Sequence, residues 1–136
     1  MTLTDDDEGQ PLFLEWPLVP GSRSVRCVTV TYRGDRDAVE VGMRVHASGP
    51  LAHWLTVHVA TGPATDRQCT GFTEQLLVAD GTLAELSARS EQEGLPGWGA
   101  QEGVPFGVRV VTELPRDVPA SVAGATAQGD FTWSVD

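Results

Sequence analysis

Residues 127–136, AQGDFTWSVD, hold the pattern that decides the fold. Phe131, Trp133 and Val135 alternate with Thr132 and Ser134, so a pleated chain puts three apolar side chains on one face and two hydroxyls on the other. A strand of this kind is buried on one side, which ties the C-terminus into a core. Residues 104–115, VPFGVRVVTELP, repeat the pattern with Val104, Phe106, Val108 and Val110 aligned.

Working outward, the same period recurs. LFLEW (12–16) reads as a short strand stopped by Pro17 and by the Pro20-Gly21 turn signal. SVRCVTVTY (24–32) sets Val28, Val30 and Tyr32 on one face and Cys27, Thr29 and Thr31 on the other. Arg33-Gly34-Asp35 is a turn, and a hairpin explains it without appeal to the integrin tripeptide it spells. AVEVGMRV (38–45) turns Val39, Val41, Met43 and Val45 inward, and WLTVHVA (54–60) does so with Leu55, Val57 and Val59. QLLVAD (75–80) is one more short strand. Thr82 and Glu85 have capping-box spacing, predicting a helix over 83–91 with Leu83 and Leu86 as its apolar stripe and Gly94 as its stop. EQEGLPGWGAQEG (91–103) reads as a glycine-rich loop presenting Trp98, a candidate interface anchor. Trp16, Phe106, Phe131 and Trp133 read as core.

Six or seven strands with one brief helix predict an all-β fold, an antiparallel β-sandwich of Ig-like or jelly-roll-like kind. A parallel α/β fold would need a helix between most strands. The chain divides into an acidic lead, residues 1–10, without periodicity, and one sandwich domain over 11–136; at 136 residues it is too short for two comfortable cores.

Lys, Ile and Asn are all absent, which points to a high-GC bacterial genome or one of its phages. Nine arginines face nineteen acidic residues, a formal net charge of −10. That balance argues against a nucleic-acid partner, whose phosphates demand a positive face, and against a polybasic membrane-surface role. No apolar run is long enough for a membrane span. The opening MTLTDDDEGQP has neither the basic region nor the apolar core of a secretory signal; the reading expects either a signal removed before maturity or work done without export.

Cys27 and Cys69 are equally compatible with one disulfide and with two buried thiols. A bridge closing a loop of about 43 residues would contribute roughly 4 kcal/mol on the chain-entropy model. His46, His53 and His58 lack the HExxH spacing of zinc hydrolases; His46 and His58, on the polar faces of their strands, would approach each other only if those strands pair, so a metal site there is the weaker reading. Asp5-Asp6-Asp7-Glu8 lacks the spaced pattern of a calcium loop and reads as a solvated end. Neither a nucleophile elbow nor a phosphate cradle is present, and no cofactor is expected.

The succession LVPGSRSVRCVTVTYRGD, HWLTVHVATG, CTGF, DGTLAEL, PFGVRVVTELP and AQGDFTW, running from about Leu18 to Val135, resembles the TasA/camelysin group of bacterial surface proteins. It is most similar to the high-GC Gram-positive, actinobacterial, members. The resemblance implies a secreted or cell-surface, non-catalytic subunit of a biofilm matrix or fibre, joined to its neighbours by an N-terminal strand. It also implies that Cys27 and Cys69 pair. Here the usual first strand is replaced or shortened to the acidic lead and LFLEW, leaving an expected open sheet edge. Leu12, Phe13, Leu14, Glu15 and Trp16 are the candidate assembly strand, donated in trans, with self-association or a protein partner at that edge. Two alternatives remain: a virion or other particle-bound, or cytoplasmic, structural subunit without export, and a camelysin-like metallopeptidase using His46 and His58.

Overall fold

The computed structural model describes residues 2–5, 12–17, 21, 23–66, 68–92, 94–119 and 126–135. Nine strands, one α-helix and a 3-10 turn at Pro50–His53 are found among them. The strands are β1 (Thr2–Asp5), β2 (Leu12–Pro17), β3 (Arg23–Arg33), β4 (Ala38–Ser48), β5 (Thr56–Pro63), β6 (Leu76–Thr82), β7 (Trp98–Gln101), β8 (Phe106–Glu113) and β9 (Thr126–Val135). The helix α1 spans Leu83–Gln92.

Two sheets form, in the orders β1-β3-β8-β5-β6 and β2-β9-β4-β7, with every pair antiparallel. The fold is thus all-β and sandwich-like, with one short helix. Alternation explains why the long strands form where they do. In β4, Val39, Val41, Met43 and Val45 are buried while Glu40 and Arg44 are exposed. In β3, Val28, Val30 and Tyr32 are buried, and β5 and β8 answer with Val57, Val59, Val108 and Val110. Each such side chain fully removed from water contributes about 1.5–3 kcal/mol. The buried Tyr32 keeps its hydroxyl satisfied by accepting from the Arg36 amide at 3.3 Å, which fastens the β3–β4 turn.

β9 lies between two partners. It pairs with β4 from Val41↔Val135 to Ser48↔Gln128 and with β2 from Leu12↔Phe131 to Pro17↔Thr126. Phe131 therefore has Val45 beside it in one neighbouring strand and Leu12 in the other, and is wholly buried.

The helix closes a seam between the sheets. Its N-terminus is a complete capping box: the Thr82 amide donates to Glu85 Oε1 at 3.0 Å and the Glu85 amide to Thr82 Oγ1 at 3.2 Å. At the other end Gly94, at φ 78°, donates its amide to Arg89 O at 2.8 Å. Beyond the reach of β7, the edge of β4 is finished by α1: the Val45 amide donates to Ser90 Oγ at 3.0 Å and the Ala47 amide to Ser87 Oγ at 3.2 Å. Arg89 reaches the other sheet, donating to Asp80 O of β6 at 3.2 Å. Serine hydroxyls thus replace a further strand, and the edge is blocked to sideways pairing.

Three local readings of the sequence are corrected. The lead holds a strand, Thr2–Asp5, against Tyr32 and its neighbours in β3; its single apolar residue, Leu3, gives no periodicity. Residues 98–101 form β7 on β4, with Trp98 and Ala100 buried and Gly99 and Gln101 exposed, a pattern too short to stand out among glycines. Val104 precedes β8 and is 51% exposed. Trp16, Trp133 and the acidic run 6–8 lie outside the described side chains.

The core position of Phe131 gives a direct test. Phe131→Ala should lower the unfolding free energy by about 3–5 kcal/mol in urea titration, whereas Ser134→Ala, on the exposed side of the same strand, should stay within about 0.5 kcal/mol.

Candidate functional site

Residues 64–66 and 68–75, between β5 and β6, fold back over the outer face of the larger sheet as a strap. Its anchor is a disulfide between Cys27 in β3 and Cys69, with Cα atoms 5.3 Å apart. Among the described residues Cys69 is the one non-glycine residue with positive φ, 63°, a conformation costing roughly 1–2 kcal/mol. Asp66 shapes the turn before it. Its Oδ1 accepts from the amides of Gln68 at 3.1 Å and Thr70 at 3.0 Å, and its carbonyl accepts from the Cys69 amide at 3.1 Å. Thr29 Oγ1 of β3 donates to Thr65 O at 3.1 Å.

Two glycines let the strap lie close. A Cβ on Gly62 would collide with Thr73 O and touch the Phe72 ring, and one on Gly107 would sit 2.8 Å from Pro63 O and 3.3 Å from Phe72. Over the neighbouring position the Arg109 guanidinium lies 4.9 Å from the Phe72 ring centre, a cation–π contact. Arg109 Nη2 donates to Glu74 Oε1 at 2.7 Å, and His58 Nε2 meets the same oxygen at 2.9 Å. Asp80 Oδ1 is 3.8 Å from His58 Nδ1. Glu74 is held below the usual carboxylate range by its hydrogen bond with His58, then by the charges of His58 and Arg109. Asp66 is lowered by its hydrogen bonds with Thr70, and Glu85 by those with Thr82.

This arrangement corrects the histidine pair considered from sequence. His46 is in β4 of the smaller sheet and His58 in β5 of the larger one, strands that do not pair. His46 is exposed, with Nδ1 3.9 Å from Glu91 Oε1. The two carboxylates beside His58 approach different ring nitrogens, a geometry in which they cannot share one ion with the ring. Among the described residues no group of three or more His, Cys, Asp or Glu side chains converges as a metal centre.

Trp98 is corrected likewise. It is 6% exposed and packs edge-on against Phe106, with centroids 5.8 Å apart and planes at 82°, so it is not an exposed anchor. An open hollow of about 580 Å³ beside it is bordered by Arg36, Glu40 and Gly97. Leu12–Trp16, the candidate assembly strand, is in β2, against β9 of its own chain. The expected vacancy of a missing first strand is not seen among the described residues, where β1 lies at an edge of one sheet and β2 at an edge of the other.

Sequence reasoning found Cys27, Cys69 and His58 singly. It missed Phe72, Glu74, Asp80 and Arg109, because only the fold-back of the strap brings them together, and no local spacing encodes that. No helix among the described residues is long and apolar enough to cross a membrane. The chain matches no protein-family model and none of the curated proteins searched.

The lowered carboxylates fix a pH dependence. Each has a folded pKa below its unfolded one, so its stabilisation is present above the ordinary carboxylate value and is lost as pH falls through the folded value. The thermal midpoint should therefore drop between about pH 5 and about pH 3. Glu74→Gln should flatten part of that drop in a melting series followed by circular dichroism.

Proposed function

We propose that this chain is a non-catalytic structural subunit of a cell-surface or extracellular fibre or matrix, assembled by exchange of its N-terminal strands between copies. One observation carries the reading: β1 and β2, both within the first 17 residues, each occupy the edge of a different sheet. The opposite side is treated differently, since α1 ties the edge of β4 to Asp80 of β6 through Ser87, Ser90 and Arg89. An edge strand, bonded to one neighbour only, is the element most readily supplied by another chain. The β2–β9 register makes the same backbone hydrogen bonds whether its two strands come from one chain or two, so exchange costs little beyond chain entropy.

The resemblance to the TasA/camelysin group supplies the surface or matrix context. The disulfide fits an oxidising location, where such bonds persist. The strand concerned is Leu12–Pro17, and its site on the neighbour is Thr126–Phe131.

The pairing Glu15↔Gln128 offers the test. A Glu15→Cys, Gln128→Cys chain, concentrated and then oxidised, should run as a ladder of covalent oligomers on a non-reducing gel, and electron microscopy of the unsubstituted chain should show fibres. Cross-linking confined to single chains at every concentration, with a stable monomer by size exclusion, would overturn the proposal.

A further inference from the structure

The strap is attached to the sandwich without being part of its core. None of its described residues, 64–66 and 68–75, belongs to the buried cluster that joins the two sheets, or to the partly buried side chains packed on that cluster. What holds it is peripheral: the half-exposed contacts of Glu74 with Arg109 and His58, the Phe72–Arg109 stack, and a few hydrogen bonds. Exposed ion pairs and single hydrogen bonds are each weak, so segments held mainly by them open locally far more often than the core. The covalent exception is the bond from Cys69 to Cys27, a residue in the middle of β3 and 2% exposed. Cys69 is the more exposed partner, and its left-handed backbone is relieved if the strap lifts.

We propose that Cys27–Cys69 is a redox latch: reduction by a dithiol frees the strap, residues 64–66 and 68–75, as one unit from a sandwich that stays folded. A thiolate of the dithiol attacks Cys69 Sγ, the S–S bond breaks, and Cys27 leaves as a thiolate that takes up a proton. The second thiol of the reductant then closes on the mixed disulfide and releases the Cys69 thiolate. Two electrons pass to the protein, and the dithiol ends as a cyclic disulfide. The Gln75 amide, bonded to Thr61 O at 2.8 Å, marks one end of the unit, and β5 ends at Pro63 on the other. Lifting the strap separates Glu74 from Arg109 and His58 and uncovers the backbone at Gly62 and Gly107. A face closed under oxidising conditions, with Arg109 on it, opens under reducing conditions. This inference concerns the single chain and stands apart from strand exchange.

Hydrogen exchange on the folded, oxidised protein, before and after dithiothreitol without denaturant, reads the latch directly. The amides of Thr70 and Phe72 should exchange at least about tenfold faster after reduction, with those of Val59 and Val110 unchanged within about twofold. Reoxidation should restore the slow rates. Parallel acceleration of strap and core amides would make the bridge a global staple and overturn the proposal. So would an unchanged strap, or a disulfide that resists reduction until the protein unfolds. Because reduction starts from folded protein, the result does not depend on whether a cysteine-free variant can fold.

Discussion

The structure depends on the two-sided pairing of β9. A strand alternating Phe131, Trp133 and Val135 needs a neighbour on each side to satisfy its backbone, and a facing sheet to cover its apolar face. β4 supplies the longer of the two pairings and β2 the other. Phe131, fully buried, is where these demands meet. Because β2 comes from the opposite end of the chain, closure of the smaller sheet requires the N-terminal segment to cross to the last strand. That long-range dependence is the physical basis for looking to the N-terminus for function.

The remaining edges are handled by different devices. Along β4, β7 covers Ala38–Val41 and the serines of α1 take over at Val45 and Ala47. On the larger sheet, Arg89 holds Asp80 of β6, leaving Leu76 and Leu77 exposed at the start of that strand. The outer face of the same sheet carries the strap, which the disulfide fixes over two glycines. The helix seals, the strap covers, and β1 and β2 complete each sheet at an edge.

Elements with three or more alternations were legible in the sequence: β3 and β8 fall within two residues of their expected limits, β4 and β5 each run three residues beyond theirs, and the capping box at Thr82 and Glu85 set the start of α1. What failed was short or non-local. Four-residue strands such as Thr2–Asp5 and Trp98–Gln101 carry too few side chains to define a period, and glycines flanking Trp98 imitate a loop. The spacing of His46 and His58 says nothing of which sheet each strand joins, and that decides whether they meet. For the same reason the pairing of Cys27 with Cys69 was undetermined by spacing, and the chain of contacts from Phe72 through Arg109 and Glu74 to His58 was invisible.

The central claim is that the strand completing the smaller sheet beside β9 comes from a neighbouring chain in the assembled material. Solid-state NMR on assemblies grown from a mixture of ¹⁵N-labelled and ¹³C-labelled chains tests it most directly. The account predicts between-chain correlations in the β2–β9 register, with Glu15 of one chain opposite Gln128 of another. Correlations in that register found only within single chains would contradict it.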